Sequence, residues 1–167
     1  MSSKEEHMLE ALELAKRGSL TASPNPLVGC VITHENKVIG RGWHERSGEN
    51  HAEINAIEDV FRNLGNKSKE ALKESELFVN LEPCTTFGKT PPCADSISEH
   101  GIRKVYFGNE DKAQQGFSKI HPGIEVESGL LEEEGRKLNR GFFSRIEKGR
   151  PYISCKIASA LDGGIAL

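Results

Sequence analysis

The stretch "LEPCTTFGKTPPCADSI", residues 81–97, places two cysteines around a loop rich in proline and glycine. The apolar run before Glu82 predicts the end of a strand, and the two prolines before Cys93 predict the start of a helix. Cys84 and Cys93 are therefore expected at a strand exit and a helix start, where mixed sheets gather their functional sites. Their spacing is wider than the common C-x-x-C pattern of metal and redox sites.

A second stretch, "HAEINA" at residues 51–56, supplies a partner for these cysteines. His51, Cys84 and Cys93 offer one imidazole and two thiolates, a set that leaves the fourth tetrahedral position of zinc open. Because residues two apart do not share a helix face, we expect His51 at the helix entrance and Glu53 in the first turn. A carboxylate that is not a ligand can move protons, so Glu53 is predicted to be the acid/base group.

Length and composition place the chain among single-domain globular proteins. It has 167 residues, 36% of them hydrophobic and 28% charged, with a net charge of −3 and no basic block. This charge argues against strong electrostatic binding to nucleic acid or to an anionic membrane. No apolar run approaches the roughly 20 residues that span a bilayer. The charged, amphipathic N-terminus does not resemble a secretory signal, so a cytoplasmic location is expected.

The pattern of apolar residues predicts helices and strands mixed along the chain. Helices are predicted at residues 4–17, 52–63, 93–100 and 130–148, and strands at 27–33, 38–43, 76–81, 102–108, 124–128 and 151–158. This mixture indicates an α/β protein whose sheet is covered on both faces. Cys30 and Cys155 lie in apolar, strand-like runs, and both are predicted to be buried core residues.

The motifs together resemble a known family. H-x-E followed by P-C matches the zinc deaminases, and the wider loop "PCTTFGKTPPC" resembles that of the diaminohydroxyphosphoribosylaminopyrimidine deaminases of riboflavin biosynthesis. "SPNPLVGCVI", "VIGRGWHERSGENHAEINA" and "GRPYISCKIASALDGGIA" resemble the same family in the same order, so the resemblance covers nearly the whole chain. It implies a cytidine-deaminase-like fold, a three-layer α/β/α sandwich with a central mixed sheet of about five strands.

The resemblance also implies a role for particular residues. His51, Cys84 and Cys93 would bind one zinc ion per chain, and Glu53 would be the proton shuttle. The substrate would be a phosphorylated pyrimidine, 2,5-diamino-6-ribosylamino-4(3H)-pyrimidinone 5′-phosphate, deaminated by hydrolysis. The residues that match substrate-binding positions are Asn25, His44, Lys89, Thr90 and Asp111.

Two segments depart from the family pattern where the ribosyl phosphate should bind. The family usually carries Ser-His after the first cysteine, whereas Thr85 and Thr86 stand here. The segment "NEDKAQQGFSKI", residues 109–120, replaces a "DPNP" loop, although Asp111 keeps an acidic residue there. Both departures leave the zinc chemistry intact and leave the exact substrate open.

The resemblance divides the chain into a deaminase domain, residues 1–150, and a tail, residues 151–167. The tail resembles the first strand of the reductase domain that follows in bifunctional members of the family. A reductase that is separate or removed is therefore expected as a partner, and no reductase activity is expected from these residues. Self-association into a homo-oligomer is expected by analogy alone.

Other interpretations of the same residues stay open. The zinc chemistry could act on a different pyrimidine or purine nucleotide, nucleoside or base. An enzyme that edits nucleic acid is disfavoured by the acidic charge. A non-catalytic, zinc-stabilised binding module would require a fourth protein ligand. A disulfide between Cys84 and Cys93 is disfavoured in a reducing compartment.

Overall fold

A computed structural model describes residues 2–88, 90–161 and 163–165. The helices are α1 (Ser3–Lys16), α2 (Ala52–Leu64), α3 (Ser68–Lys73), α4 (Cys93–Glu99), α5 (Phe117–Ile120), α6 (Glu132–Leu138) and α7 (Arg140–Lys148). The strands are β1 (Gly29–His34), β2 (Lys37–Trp43), β3 (Ser75–Leu81), β4 (Lys104–Asn109) and β5 (Glu125–Ser128). None of the helices among the described residues has the length and apolar character of a membrane-spanning segment.

The strands form one five-stranded sheet in the order β2-β1-β3-β4-β5. β1 runs antiparallel to β2 and β3, whereas β3, β4 and β5 run parallel to one another. The parallel strands are joined by helical crossovers, as parallel pairing requires. A mixed sheet of five strands confirms the predicted fold class.

Side chains alternate between the two faces of the sheet and build two cores. On β1, Cys30 and Ile32 point into one core and Val31 into the other, as the two-residue period of a strand dictates. The first core is closed by apolar residues of α2, α3, α4 and α5. The second is closed mainly by α1. Helices therefore cover both faces of the sheet, which makes three layers.

Two glycines let the helices pack directly on the strand backbones. A β carbon at Gly42 on β2 would overlap the carbonyl oxygen of Ala52, the first residue of α2. A β carbon at Gly29 on β1 would overlap the carbonyl oxygen of Ala11 on the opposite face. The close approach at Gly42 seats the start of α2 against the sheet, and this helix start carries the candidate site.

The prediction of a strand at residues 151–158 is wrong. Residues 151–160 are neither helix nor strand, and Ile153 is 83% exposed. Cys155 is also exposed, so its predicted burial is wrong, whereas Cys30 is buried as predicted. An apolar run becomes a strand only beside a strand that accepts its hydrogen bonds, and the described sheet ends at β2 and β5.

The structure describes most of the tail, residues 151–161 and 163–165. Residues 162, 166 and 167 lie outside the described residues. The division of the chain at residue 150, and the resemblance of the tail to a reductase strand, stay predictions.

The predicted helix at residues 130–148 is two helices that meet at Asn139. Asn139 has φ −105° and ψ 27°, outside the helical region. Its side chain leaves the helix surface to bond the backbone of Leu27. The short helices α3 and α5 were not predicted, because four to six residues carry too little periodicity to be recognised.

Candidate metal centre and substrate cavity

His51 and Glu53 take the positions that their spacing predicts. His51 is the N-cap of α2, with the extended angles φ −75° and ψ 165°. Its carbonyl oxygen accepts the first helical hydrogen bond, from Asn55 N at 3.1 Å. Glu53 lies in the first turn and is only 3% exposed. The cap geometry turns both side chains toward the same region, although they are two residues apart.

The cysteine loop brings its two thiols together. Cys84 follows β3, and Cys93 is the first residue of α4. The backbone N–H of Cys93 donates to Cys84 Sγ at 3.2 Å, and that of Ala94 donates to the Cys84 carbonyl oxygen at 3.1 Å. The first N–H groups of α4 have no partner within the helix, so they are available to bond Cys84. These bonds hold Cys84 in place and favour its thiolate form.

These three side chains form a cluster that could hold a metal ion. His51 Nδ1 lies 3.4 Å from Cys84 Sγ and 3.3 Å from Cys93 Sγ. All three ligand atoms lie within 4.8 Å of one another, and no fourth potential ligand joins them among the described residues. An imidazole with two thiolates suits zinc and leaves one coordination position open.

The pKa values of the three cluster side chains are also compatible with metal binding. A hydrogen bond with Cys93 holds the pKa of the Cys84 thiol well below its usual range. The same hydrogen bond, together with burial, raises the pKa of the Cys93 thiol. The hydrogen bond to Cys84 raises the pKa of His51 as well. Because metal ligands must be deprotonated, a bound metal would displace the proton held between the two thiols.

Glu53 is a buried carboxylate beside this cluster. Its Oε2 has no hydrogen-bond partner among the described residues. Burial, together with the negative charge of Cys84, raises the pKa of Glu53 to about 7. A group with this pKa populates its acid and base forms at neutral pH, which general acid–base catalysis requires. An unpartnered buried carboxylate next to a metal-type ligand set fits a water-activating zinc site.

The cluster lies in a cavity of about 560 Å³. The predicted substrate residues Asn25, His44, Thr90 and Asp111 all line it, together with His51, Glu53 and Cys84. Lys89 lies outside the described residues. The fold therefore brings together distant parts of the chain around one cavity, while the roles of these residues stay predictions.

Asn25 and His44 form a fixed pair on the cavity wall. His44 Nδ1 lies 3.0 Å from the carbonyl oxygen of Asn50, which can only accept, so Nδ1 carries the proton. His44 Nε2 then accepts from Asn25 Nδ2 at 3.0 Å. This arrangement leaves Asn25 Oδ1 as an acceptor for an N–H group of a ligand. The His44 ring also meets the His51 ring edge-on, with centroids 5.4 Å apart.

Two buried asparagines that we did not predict hold the loop that carries Asn25. Asn139 Oδ1 accepts from Leu27 N at 2.8 Å, and Asn139 Nδ2 donates to Leu27 O at 2.8 Å. Asn80 Nδ2 donates to the same carbonyl at 2.9 Å, and Asn80 Oδ1 accepts from Gly29 N at 2.8 Å. The polar Asn80 within the apolar strand "LFVNL" was the available signal.

Replacing Asn139 by alanine is expected to destabilise the protein by about 1–3 kcal/mol. Leu27 N would lose its partner in a part-buried position, and an unmade bond there costs the desolvation of the N–H group. Urea unfolding measures the change. The matched control is Asn63→Ala, because the exposed Asn63 also donates to a backbone carbonyl, that of Ile39. Equal stability of the two variants would refute the role of Asn139.

Glu82 and Gln114 order the segment that departs from the family pattern. The buried Glu82 carboxylate accepts from Asp111 N at 3.0 Å and from Phe117 N at 2.7 Å. Gln114 Oε1 accepts from Thr85 N at 2.8 Å. The segment is therefore attached to the exit of β3, and Asp111 is held at the cavity edge. The contacts of Glu82 were also not predicted.

Comparisons with known proteins assign the chain to a family that has this type of fold and metal site. Residues 1–109 match the family described as the cytidine and deoxycytidylate deaminase zinc-binding region. The chain therefore belongs to the class of zinc-binding deaminases. It is 43% identical over 150 residues to the diaminohydroxyphosphoribosylamino-pyrimidine deaminase of Buchnera aphidicola subsp. Schizaphis graminum, covering 87% of this chain and 97% of that protein.

Two further similar proteins are more than twice as long as the part that this chain matches. The riboflavin biosynthesis protein RibD of Escherichia coli (strain K12) is 40% identical, over 98% of this chain and 44% of that protein. The crystal structure of a diaminohydroxyphosphoribosylaminopyrimidine deaminase/5-amino-6-(5-phosphoribosylamino)uracil reductase from Thermotoga maritima is 42% identical, with a TM-score of 0.86, over 96% of this chain and 46% of that chain.

Within its class, the chain belongs to the deaminase family of riboflavin biosynthesis, as the sequence resemblance predicted. It spans less than half the length of the relatives named RibD, covering 42% and 44% of two of them.

Proposed function

We propose that this chain removes the 2-amino group of 2,5-diamino-6-ribosylamino-4(3H)-pyrimidinone 5′-phosphate by hydrolysis. The products would be 5-amino-6-ribosylaminouracil 5′-phosphate and ammonia. The observation that carries the proposal is the buried Glu53 beside the cluster of His51, Cys84 and Cys93 in one cavity. The family to which the chain belongs supports the same reaction.

His51, Cys84 and Cys93 would hold one zinc ion, which supplies Lewis-acid activation of water when bound. Glu53 would move the two protons of that water. It would carry the first to the ring nitrogen and the second to the departing amine. The bond from carbon to the exocyclic nitrogen breaks, a bond from carbon to oxygen forms, and ammonia leaves. The burial of Glu53 supports this role, because it keeps bulk water from competing for these protons.

The remaining predicted residues would orient the substrate. The Asn25–His44 pair would meet the pyrimidine, since Asn25 Oδ1 is an acceptor on the cavity wall. Thr90 and Asp111 line the same cavity and would contact the ribosyl phosphate part. Lys89 is proposed as a cation for the phosphate, on the family resemblance alone.

A substrate comparison tests the proposal. We expect turnover of the phosphorylated pyrimidine with kcat/KM about 10–100-fold above that of its dephosphorylated form, because hydrogen bonds to a charged group are strong. Ammonia release and the change in pyrimidine absorbance measure both reactions. Cytidine and deoxycytidylate serve as controls, and preferential turnover of either control would refute the substrate assignment.

A second candidate keeps the chemistry and removes the phosphate from the substrate. Two observations favour it: Thr86 stands in the cavity where the family usually has histidine, and four carboxylates line the cavity. They are Glu49, Glu53, Glu82 and Asp111. A nucleoside or free base would then be the substrate. Equal kcat/KM for the phosphorylated and dephosphorylated pyrimidines would support this candidate over the first.

A non-catalytic binding module is the weaker interpretation. It needs a fourth protein ligand, and within the described part of the chain the cluster has three members. The cytoplasmic location, the homo-oligomer and a separate reductase stay predictions.

A further inference from the structure

We propose that Arg145, on α7, binds the phosphate of the substrate and so determines specificity for phosphorylated pyrimidines. This inference rests on the proposed function, since it names a contact for the same substrate. Arg145 stands far along the chain from the zinc-deaminase motifs. The fold brings it to the cavity, where it lies on the wall with Phe142 of the same helix.

Arg145 differs in charge from the rest of the cavity wall. Apart from the histidines, the other charged residues that line the cavity are carboxylates, among those that the structure describes: Glu49, Glu53, Glu82 and Asp111. A phosphate that enters this cavity would be repelled unless a cation faces it. Arginine meets phosphate with two parallel N–H donors, which makes it the side chain best suited to the task.

The guanidinium of Arg145 is available for a ligand. It forms no ion pair with any residue that the structure describes, although its neighbours do. Arg136 and Lys112 both pair with Glu147, which is two residues beyond Arg145. Two of the carboxylates that line the cavity have other partners: Glu82 accepts from two backbone N–H groups, and Asp111 Oδ1 accepts from Ala113 N at 3.0 Å.

Arg145 lines the same cavity as residues that the resemblance assigns to the ribosyl phosphate. Lys112 Nζ lies 3.7 Å from Glu147 Oε1, which joins the segment of Asp111 to α7. Asp111 and Arg145 both line the cavity. Thr86, which stands where the family usually has histidine, lines it as well. A cation from α7 would therefore supply a positive charge to a cavity that lacks the expected imidazole.

The start of α7 is tied by hydrogen bonds to the loop that carries Asn25. Asn139 precedes α7, accepts from Phe143 N at 3.0 Å, and makes its two bonds to Leu27. Leu27 follows the loop that carries Asn25. The same asparagine therefore connects the helix of Arg145 to the loop predicted to hold the pyrimidine.

Arg145→Ala tests the proposal. We expect kcat/KM for the phosphorylated pyrimidine to fall about 10–100-fold, mainly through KM, while that for the dephosphorylated form stays unchanged. Arg145→Lys should recover part of the loss, because lysine keeps the charge and loses the two-pronged geometry. The matched control is Arg140→Ala on the same helix, since Arg140 stands over the Tyr152 ring and not on the cavity wall.

Binding of ribose 5-phosphate, measured by calorimetry on the zinc-loaded protein, separates this inference from the proposed function. Weaker binding to Arg145→Ala than to the wild type and to Arg140→Ala would support the contact even if no pyrimidine is turned over. Equal binding by all three proteins would overturn it. An equal loss of kcat/KM on both pyrimidines would also overturn it, because that outcome marks a structural role.

Discussion

Replacing Glu53 by glutamine is expected to reduce deamination by about 10²–10⁴-fold, the usual contribution of general acid–base catalysis. Glutamine keeps the shape of the side chain and cannot accept and return a proton. Ammonia release under saturating substrate measures the loss in kcat. The zinc content should stay at the wild-type level, because Glu53 is not a member of the His51, Cys84 and Cys93 cluster.

The size of this effect follows from the surroundings of Glu53. The carboxylate is buried, its Oε2 has no partner among the described residues, and its pKa is raised to about 7. It therefore exchanges protons readily near neutral pH, and bulk water has little access to replace it.

The control for this experiment is Glu58→Gln. Glu58 is an exposed glutamate on the same helix, and its contact, from Asn50 Nδ2 at 3.1 Å, can be kept by glutamine. It should retain wild-type activity. A Glu53→Gln variant that binds zinc and works at the wild-type rate would disprove the proposed mechanism.

Replacing Cys93 by serine is expected to remove both the zinc and the activity. A buried hydroxyl is a far weaker zinc ligand than a thiolate, and the other two cluster residues would not hold the ion alone. Lewis-acid catalysis supplies several kcal/mol, so kcat should fall by at least about 10³-fold. Elemental analysis should find about one zinc per chain in the wild type and little in the variant.

Cys155→Ser is the matched control for the loss of a thiol. Cys155 is exposed and distant in sequence from the cluster, so zinc content and activity should both be unchanged. Retention of stoichiometric zinc by Cys93→Ser would refute the assignment of Cys93 as a ligand. Thermal unfolding of the metal-loaded proteins should show a lower midpoint for Cys93→Ser alone, since a metal that binds only the folded chain stabilises it.

Short-range patterns were enough to predict much of the fold. The five strands of the sheet and the helices α1, α2 and α4 follow from local periodicity and from the prolines and glycines at their ends. The entrance geometry of His51 follows from spacing alone, because a helix cannot otherwise present residues 51 and 53 to one site. These features depend on neighbours in sequence, which the sequence displays directly.

Features that depend on distant partners were missed or mistaken. Residues 151–158 have the apolar pattern of a strand but pair with no strand of the described sheet. The break at Asn139 coincides with its hydrogen bonds to Leu27, more than a hundred residues earlier in the chain. Hydrogen bonds of this range leave no periodic trace in the sequence.

The sequence by itself determined the class of the fold, the candidate ligands and the candidate proton shuttle. Residue type and spacing are sufficient for these, because ligand chemistry belongs to the side chains. Only the tertiary structure decided that Glu53 is buried without a partner, that Asn25 is oriented by His44, and that Arg145 reaches the cavity. The burial of Glu53, the orientation of Asn25 and the place of Arg145 on the cavity wall arise from packing between distant segments. They therefore exist only in the folded chain.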